Sequence, residues 1–275
     1  MGTDAYKKIG YGDREIGFGR RPAVVVVDFQ RAFTDPDMEF GGCELVQRAI
    51  ENTARVLEVA RRANVPVANC YTAYHSERDM PPWKIGPVHD SFYYGDPCTE
   101  IEPKTSDPNH DFIFCKTGPS IFFNTPCTTL LAKNGIDTTI ITGCMTSGCI
   151  RASIIDSFSH GYRTMVPEDC VGDAEEGPHN DNLRDVGRRY ADVIDSQTVI
   201  DYLEDQGSSI MSLGIIPIIL IVLNIVHQQE ALFLLVLLFG MVFWRTLRTF
   251  LPNNNIPVPL YFRHRVFSIC ALCGL

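Results

Sequence analysis

The chain has 275 residues, of which 45% are hydrophobic and 21% charged, so its composition is that of a globular protein and excludes a disordered or collagen-like polymer. The formal net charge is −9, and residues 1–206 carry 32 of the 33 acidic residues, whereas residues 207–275 carry four arginines and one glutamate. Non-specific nucleic-acid binding requires a basic face, so we expect no nucleic-acid partner.

The ten cysteines are too few for a disulfide scaffold, and the eight within residues 1–206 lack the paired spacing of metal sites. The N-terminal residues are polar and show no apolar stretch of the kind found in a signal peptide. We therefore expect a cytoplasmic protein with reduced thiols.

Strands and helices are predicted to alternate along most of the chain. The β-branched run Ala23–Val27 is typical of a buried parallel strand, and the apolar spacing over Glu44–Ala63 predicts an amphipathic helix. Further strands are expected at Val67–Tyr74, Asp111–Lys116, Thr138–Thr142, Tyr162–Val166 and Ala191–Ile194, and further helices at Cys127–Asn134, Ser147–His160 (with Ser147 as N-cap), Asn182–Tyr190 and Gln197–Glu204. This alternation predicts a three-layer α/β fold with a mostly parallel sheet, interrupted by a long irregular segment at Met80–Asp111.

Three reactive side chains lie at or just beyond the ends of three predicted strands: Asp28, Lys116 and Cys149. Parallel strands end at one edge of the sheet, which is where such folds bind ligands. Asp28 can take the proton of the thiol and Lys116 can stabilise a thiolate, as can the first helical turn that holds Cys149. Each residue alone also has a structural interpretation: Cys149 as a small buried hydrophobe, Asp28 as a helix or loop cap, and Lys116 as a solvated charge.

Three separated segments around these residues resemble the isochorismatase-like cysteine hydrolases: Val24–Phe33, Lys116–Thr117 and Thr142–Arg151. The run from Gly161 to Glu204 is similar to the branch that contains N-carbamoylsarcosine amidase and maleamate amidase. The resemblance covers about residues 15–205. It implies a Rossmann-like fold and a homo-oligomer, either a dimer or a tetramer.

The resemblance also implies a mechanism in which Cys149 attacks the carbonyl carbon of a small amide or ureido substrate. Asp28 accepts the thiol proton and passes it to the leaving amine, while Lys116 stabilises the thiolate and orients Asp28. Ammonia leaves, and water then hydrolyses the thioester.

Further site residues follow from the same resemblance. The backbone N–H groups of Thr146 and Cys149 are expected to bind the oxyanion, next to a cis peptide bond at Met145–Thr146. Phe33, Trp83 and Arg151 are candidate substrate-binding residues.

Two positions depart from the relatives. Ala174 stands where N-carbamoylsarcosine amidase has an arginine that helps to bind the substrate carboxylate, which argues against that substrate. His75 lacks the aspartate two residues earlier that nicotinamidase-type relatives carry for a metal, and His89 adds no carboxylate. We therefore expect neither a metal nor an organic cofactor.

The resemblance ends near Glu204, which divides the chain into a hydrolase domain, residues 1–206, and an apolar tail, residues 207–275. Residues 210–244 of the tail contain two stretches without charge, which predict either a membrane-associated segment or a sequence outside the folded protein, such as a gene-model artefact.

Two alternatives to the amidohydrolase remain open. One is a hydrolase of the same fold that acts on nicotinamide, a biuret-like ureide or an isochorismate-like ether, although a nucleophilic Cys149 argues against the ether. The other is a catalytically inactive binding protein that the tail attaches to a membrane.

Overall fold

The computed structural model describes residues 5–206, in which seven strands form one sheet. The strand order is β3-β2-β1-β4-β5-β7, with the short β6 paired to β4, and these strands pair in parallel. The strands are β1 (Pro22–Val27), β2 (Val67–Thr72), β3 (Phe112–Lys116), β4 (Thr138–Cys144), β5 (Arg163–Pro167), β6 (Val171–Gly172) and β7 (Asp192–Ile194). The helices are α1 (Ala5–Lys8), α2 (Arg31–Thr34), α3 (Glu44–Arg62), α4 (Gly86–Ser91), α5 (Cys127–Lys133), α6 (Arg151–Ser159) and α7 (Glu176–Gly187), and residues 196–206 are also helical.

Helices cover both faces of the sheet, because the central strands are apolar on both sides. All six residues of β1 are buried. Val24 and Val26 pack in a core with the apolar face of α3, whereas Val25 and Val27 pack in a second core with α5 and α6. Successive side chains of a strand point to opposite faces, so one unbroken apolar run serves both cores. The predicted three-layer α/β fold is confirmed.

Two helices differ from their predictions. The helix expected at Ser147–His160 begins as a π-helical turn, Thr146–Ile150, and continues as α6. Helix α7 begins six residues before the predicted Asn182 and therefore includes Gly177 and Pro178. Glycine and proline are common in loops, but proline is tolerated in the first turn of a helix because its missing N–H would have no partner there.

Gly143 brings the carboxyl ends of β1 and β4 into close contact. Its φ is +126°, and a Cβ atom at this position would lie 2.0 Å from the carbonyl oxygen of Val27. Glycine is therefore required here. This close approach places Asp28, which follows β1, beside the turn that follows β4.

The predicted apolar tail and its membrane-associated segment, residues 210–244, lie outside the described residues. Among residues 5–206, no helix combines the length and the apolarity needed to cross a membrane.

Candidate active site

The three side chains predicted at the strand ends lie together at one edge of the sheet. Asp28 follows β1, Lys116 ends β3, and Cys149 lies in the π-helical turn after β4. The Nζ atom of Lys116 is 2.8 Å from Oδ2 of Asp28 and 3.4 Å from Sγ of Cys149. The side chains of Asp28 and Lys116 are each only 1% exposed, whereas Cys149 is partly exposed and borders a cavity.

The backbone of Asp28 is in the left-handed region, with φ at +56°. A residue with a Cβ rarely adopts this conformation, which costs of the order of 1–3 kcal/mol and concentrates at functional sites. The N–H group of Asp28 donates to the carbonyl oxygen of Cys70 at 3.1 Å, which helps to hold the conformation. The strand-to-loop bend is thus fixed at the residue that carries the carboxylate.

Thr72, at the end of β2, links the carboxylate and the ammonium group. Its hydroxyl accepts a hydrogen bond from Lys116 Nζ at 2.8 Å and donates to Oδ1 of Asp28 at 3.1 Å. Lys116 also donates to the carbonyl oxygen of Gly118 at 3.1 Å. Oδ2 of Asp28 is bound by the ammonium group of Lys116, whereas Oδ1 accepts hydrogen bonds from Thr72 and from the thiol of Cys70 at 3.8 Å, so Oδ2 is the oxygen with a lone pair for a further donor.

The environment of the triad favours a neutral thiol beside an ion pair. Burial raises the pKa of Cys149 to about 12, because the desolvation and the negative charge of Asp28 outweigh the positive charge of Lys116. Burial by itself lowers the pKa of Lys116, but the negative charge of Asp28 and its hydrogen bond to the ammonium group raise it above its ordinary value. Lys116 is therefore charged at neutral pH, and the proton of Cys149 must be removed during the reaction.

Asp173 holds the turn that carries Cys149. Its Oδ2 accepts a hydrogen bond from the N–H of Ser147 at 2.6 Å, and its Oδ1 accepts one from the N–H of Ala174 at 2.8 Å. The prediction that Ser147 is the N-cap is wrong: Met145 precedes the turn without a side-chain cap. Instead, a carboxylate that follows β6 binds the amide of Ser147, and the pairing of β6 with β4 places it there.

The prediction of a cis bond at Met145–Thr146 is also wrong by one residue. The cis bond is Cys144–Met145, directly at the end of β4. The N–H groups of Gly148 and Ile150 both donate to the carbonyl oxygen of Met145, at 2.9 and 3.2 Å. The oxyanion role expected for the amides of Thr146 and Cys149 stays a prediction.

His179 lies behind this turn and was not predicted. It is 4% exposed, and its Nδ1 lies 2.8 Å from the hydroxyl of Thr146. Burial and the positive charge of Arg48 lower its pKa, so the ring is neutral at pH 7. The sequence offered no signal for it, because α7 was expected to begin three residues later.

A cavity of about 600 Å³ opens beside Cys149. The three candidate substrate-binding residues, Phe33, Trp83 and Arg151, all line it, together with Asp28. The Nε1–H of Trp83 donates to the hydroxyl of Tyr74 at 2.8 Å, which fixes the indole in the wall. The structure thus brings the predicted triad and the predicted wall residues together, and substrate binding by them stays a prediction.

Replacing Lys116 with methionine is expected to destabilise the protein by about 3–5 kcal/mol, because it leaves the buried carboxylate of Asp28 without its cation. Urea denaturation at pH 7 measures this loss. The matched control is Lys104→Met, which removes an ion pair between two side chains that are more than half exposed, Lys104 and Glu51. The control is expected to cost about 1 kcal/mol or less, and equal losses in the two variants would contradict the prediction.

Comparison with known proteins identifies the family. Residues 22–198 match the isochorismatase domain, and the chain belongs to the isochorismatase family. It is 34% identical over 201 residues to maleamate amidohydrolase of Pseudomonas putida, which covers 70% of this chain and 92% of that protein. It is 30% identical over 209 residues to N-carbamoylsarcosine amidase of Arthrobacter sp., which covers 74% of this chain and 78% of that protein.

The fold is also shared with a solved cysteine hydrolase from Pseudomonas syringae pv. phaseolicola. That structure superposes with a TM-score of 0.65 at 22% identity, over 70% of this chain and 97% of the other. The resemblance drawn from the sequence motifs is therefore confirmed, and the comparisons place the chain among hydrolases that act on C–N bonds.

Proposed function

We propose that the protein is a cysteine-dependent amidohydrolase that cleaves a C–N bond of a small amide or ureido compound through a thioester and releases ammonia. The observation that carries this proposal is the contact of Lys116 Nζ with both Cys149 Sγ and Asp28 Oδ2 at the wall of a cavity. The two relatives named as amide-cleaving hydrolases support the same class of reaction.

In the first step, the sulfur of Cys149 forms a bond to the carbonyl carbon of the substrate. Because the pKa of the thiol is raised to about 12, the proton is transferred as the S–C bond forms, and Oδ2 of Asp28 is the acceptor. The resting active site then holds one ion pair, and no thiolate has to be stored beside the carboxylate of Asp28. Lys116 stabilises the sulfur while negative charge develops.

In the second step, the protonated Asp28 gives its proton to the leaving nitrogen, the C–N bond breaks and ammonia departs. The acyl group remains on Cys149 as a thioester. A water molecule then attacks the same carbon, Asp28 accepts one of its protons, and the C–S bond breaks with return of that proton to sulfur. The products are the acid and ammonia, and Asp28 and Cys149 regain their initial protonation.

The oxyanion of each tetrahedral intermediate needs N–H donors that are not already engaged. The amides of Ser147, Gly148 and Ile150 are bound to Asp173 and to the carbonyl of Met145. The amide of Cys149 adjoins the nucleophile, and we keep Thr146 as its predicted partner. Met145 is an added candidate, because it lines the cavity whereas Thr146 is buried behind it.

Ammonia release tests this proposal directly. The full chain is incubated with maleamate, N-carbamoylsarcosine, nicotinamide and biuret, and ammonia is measured for each compound. Release from at least one of them, absent in the Cys149→Ala variant, supports a cysteine amidohydrolase. Release that persists in the variant would remove Cys149 from the role of nucleophile. Size-exclusion chromatography with light scattering on the same preparation tests the predicted homo-oligomer.

Chelation is expected to leave this activity unchanged, because the proposed steps use only the carboxylate, the ammonium group and the thiol. The measurement is ammonia release after dialysis against EDTA, with a mock-dialysed sample as control. The two histidines considered for a metal are engaged elsewhere: the ring of His75 makes a tilted contact with Tyr94, with centroids 4.4 Å apart, and Nε2 of His89 lies 2.9 Å from the carbonyl oxygen of Trp83. Activity lost on dialysis and restored by zinc would contradict the expectation.

A further inference from the structure

The cavity beside Cys149 is apolar over most of its wall. Four aromatic side chains line it: Phe33, Phe40, Trp83 and Phe92. Aliphatic side chains from α4 and α6 extend this surface, among them Val88 and Ile155. A volume of about 600 Å³ is typical of a pocket for a drug-sized ligand, so a four-carbon amide would fill only part of it.

The aromatic part of the wall is packed in place. The rings of Phe33, Phe40 and Phe92 lie 5.8–6.2 Å apart in tilted or edge-on contacts, and Phe92 is 2% exposed. Trp83 is held by its hydrogen bond to Tyr74, whose hydroxyl donates in turn to the carbonyl oxygen of Thr117. The wall is therefore preformed, and a ligand that fills it does not have to order it first.

The charged groups that border the cavity offer little to a polar substrate. Asp28 already forms an ion pair with Lys116, and both carboxylate oxygens of Asp173 accept hydrogen bonds from backbone N–H groups. The neighbouring Ala174 presents a methyl group. Arg151 is the one cationic side chain that the described part of the chain contributes to the lining. A substrate with several charges would lose hydration without finding partners for them.

We infer that the substrate is an amide with a bulky, apolar and preferably ring-containing acyl group, which packs against the aromatic wall while its carbonyl carbon meets Cys149. This inference rests on the proposed function and names its substrate class. At most one negative charge is accommodated, at Arg151. Contact with the partly exposed rings of Phe33, Phe40 and Trp83 then supplies the binding energy that ionic contacts would supply to a small dicarboxylic monoamide.

A graded set of amides tests the inference on the full chain. The compounds are acetamide, butanamide, phenylacetamide, 4-phenylbutanamide and maleamate, and the readout is kcat/KM for ammonia release. Each added methylene that is buried is expected to raise kcat/KM about three- to fourfold, and phenylacetamide is expected to exceed acetamide at least about tenfold. Maleamate is expected to be hydrolysed less efficiently than the phenyl compounds.

Two variants test whether the preference for large acyl groups depends on the aromatic wall of the cavity. Trp83→Ala is expected to lower the ratio of kcat/KM for phenylacetamide to that for acetamide by about three- to tenfold, because the indole surface is lost. Phe158→Ala removes a ring of α6 that is 45% exposed and does not line the cavity, and it is expected to keep the ratio.

The outcomes separate this inference from the proposed function. Values of kcat/KM that do not rise with the size of the acyl group, or that are highest for maleamate, overturn the inference and leave the amidohydrolase intact. A Trp83→Ala variant whose ratio matches that of Phe158→Ala also overturns the assignment to this wall. If none of the five amides releases ammonia, the inference fails, and ammonia from biuret or nicotinamide shows whether the proposed function survives.

Discussion

Replacing Cys149 with alanine is expected to lower kcat for amide hydrolysis by at least about 10³-fold, because the thiol proposed to form the acyl intermediate is gone. The proton acceptor and the cation remain in place, since Asp28 and Lys116 contact each other directly at 2.8 Å. Steady-state ammonia release measures the loss, and circular dichroism checks that the variant is folded. Mass spectrometry of the intact protein after rapid quenching adds a second readout: wild type carries an acyl adduct, and the variant carries none.

Two other cysteines provide matched controls. Cys144 is buried beside the triad and its thiol donates to the carbonyl oxygen of Asp28, at 3.2 Å, so it is the nearest rival as nucleophile. Cys127 is the first residue of α5 and is buried in the core. Alanine at either position is expected to keep activity within about tenfold of wild type, because neither thiol contacts Lys116 in the structure. An equal loss in Cys144→Ala and Cys149→Ala would point to a disturbed site and not to a nucleophile.

Much of the fold could be predicted because the pattern and the packing agree. The valine run of β1 is apolar on both faces of the sheet, and α3 buries a clear apolar stripe, so local and tertiary preferences coincide. Predictions were less accurate at the site. Two residues of the π-helical turn make side-chain contacts across the fold: Asp173 binds the amide of Ser147, and His179 of α7 contacts the hydroxyl of Thr146. These residues are distant in sequence from the turn, and no local spacing reports such contacts.

The proximity of Asp28, Lys116 and Cys149 was predicted for a different reason. Each residue lies at or just after a strand, parallel strands present their carboxyl ends at one edge, and the motifs around the three residues resemble the isochorismatase-like cysteine hydrolases. The supporting groups were missed because their roles are tertiary. Thr72 serves the site only because β2 pairs with β3, which places it opposite Lys116. The raised pKa of the Cys149 thiol was not predicted either, since a sequence shows a nearby cation but not the burial that opposes it.

Replacing Asp28 with asparagine is expected to have opposite effects on turnover and on the reactivity of the resting thiol. Turnover falls about 10²- to 10⁴-fold, because the group that accepts and returns the proton is gone. Alkylation of Cys149 by iodoacetamide becomes faster, because the carboxylate raises the pKa of the thiol and Lys116 lowers it. Removal of one like charge shifts a pKa by about one unit or more, so the alkylation rate near pH 8 rises about tenfold.

The pH dependence of alkylation distinguishes this assignment from a purely structural role for Asp28. With a thiol pKa raised to about 12, the wild-type rate is expected to climb about tenfold per pH unit from pH 7 to pH 10 without a plateau. In Asp28→Asn the same curve moves to lower pH. Peptide mapping by mass spectrometry reads Cys149 separately from the other described cysteines, and Cys149→Ala gives the background. A wild-type plateau near neutral pH would show a stored thiolate, and a slower alkylation in Asp28→Asn would show that the carboxylate assists the thiol by holding it in place and not by taking its proton.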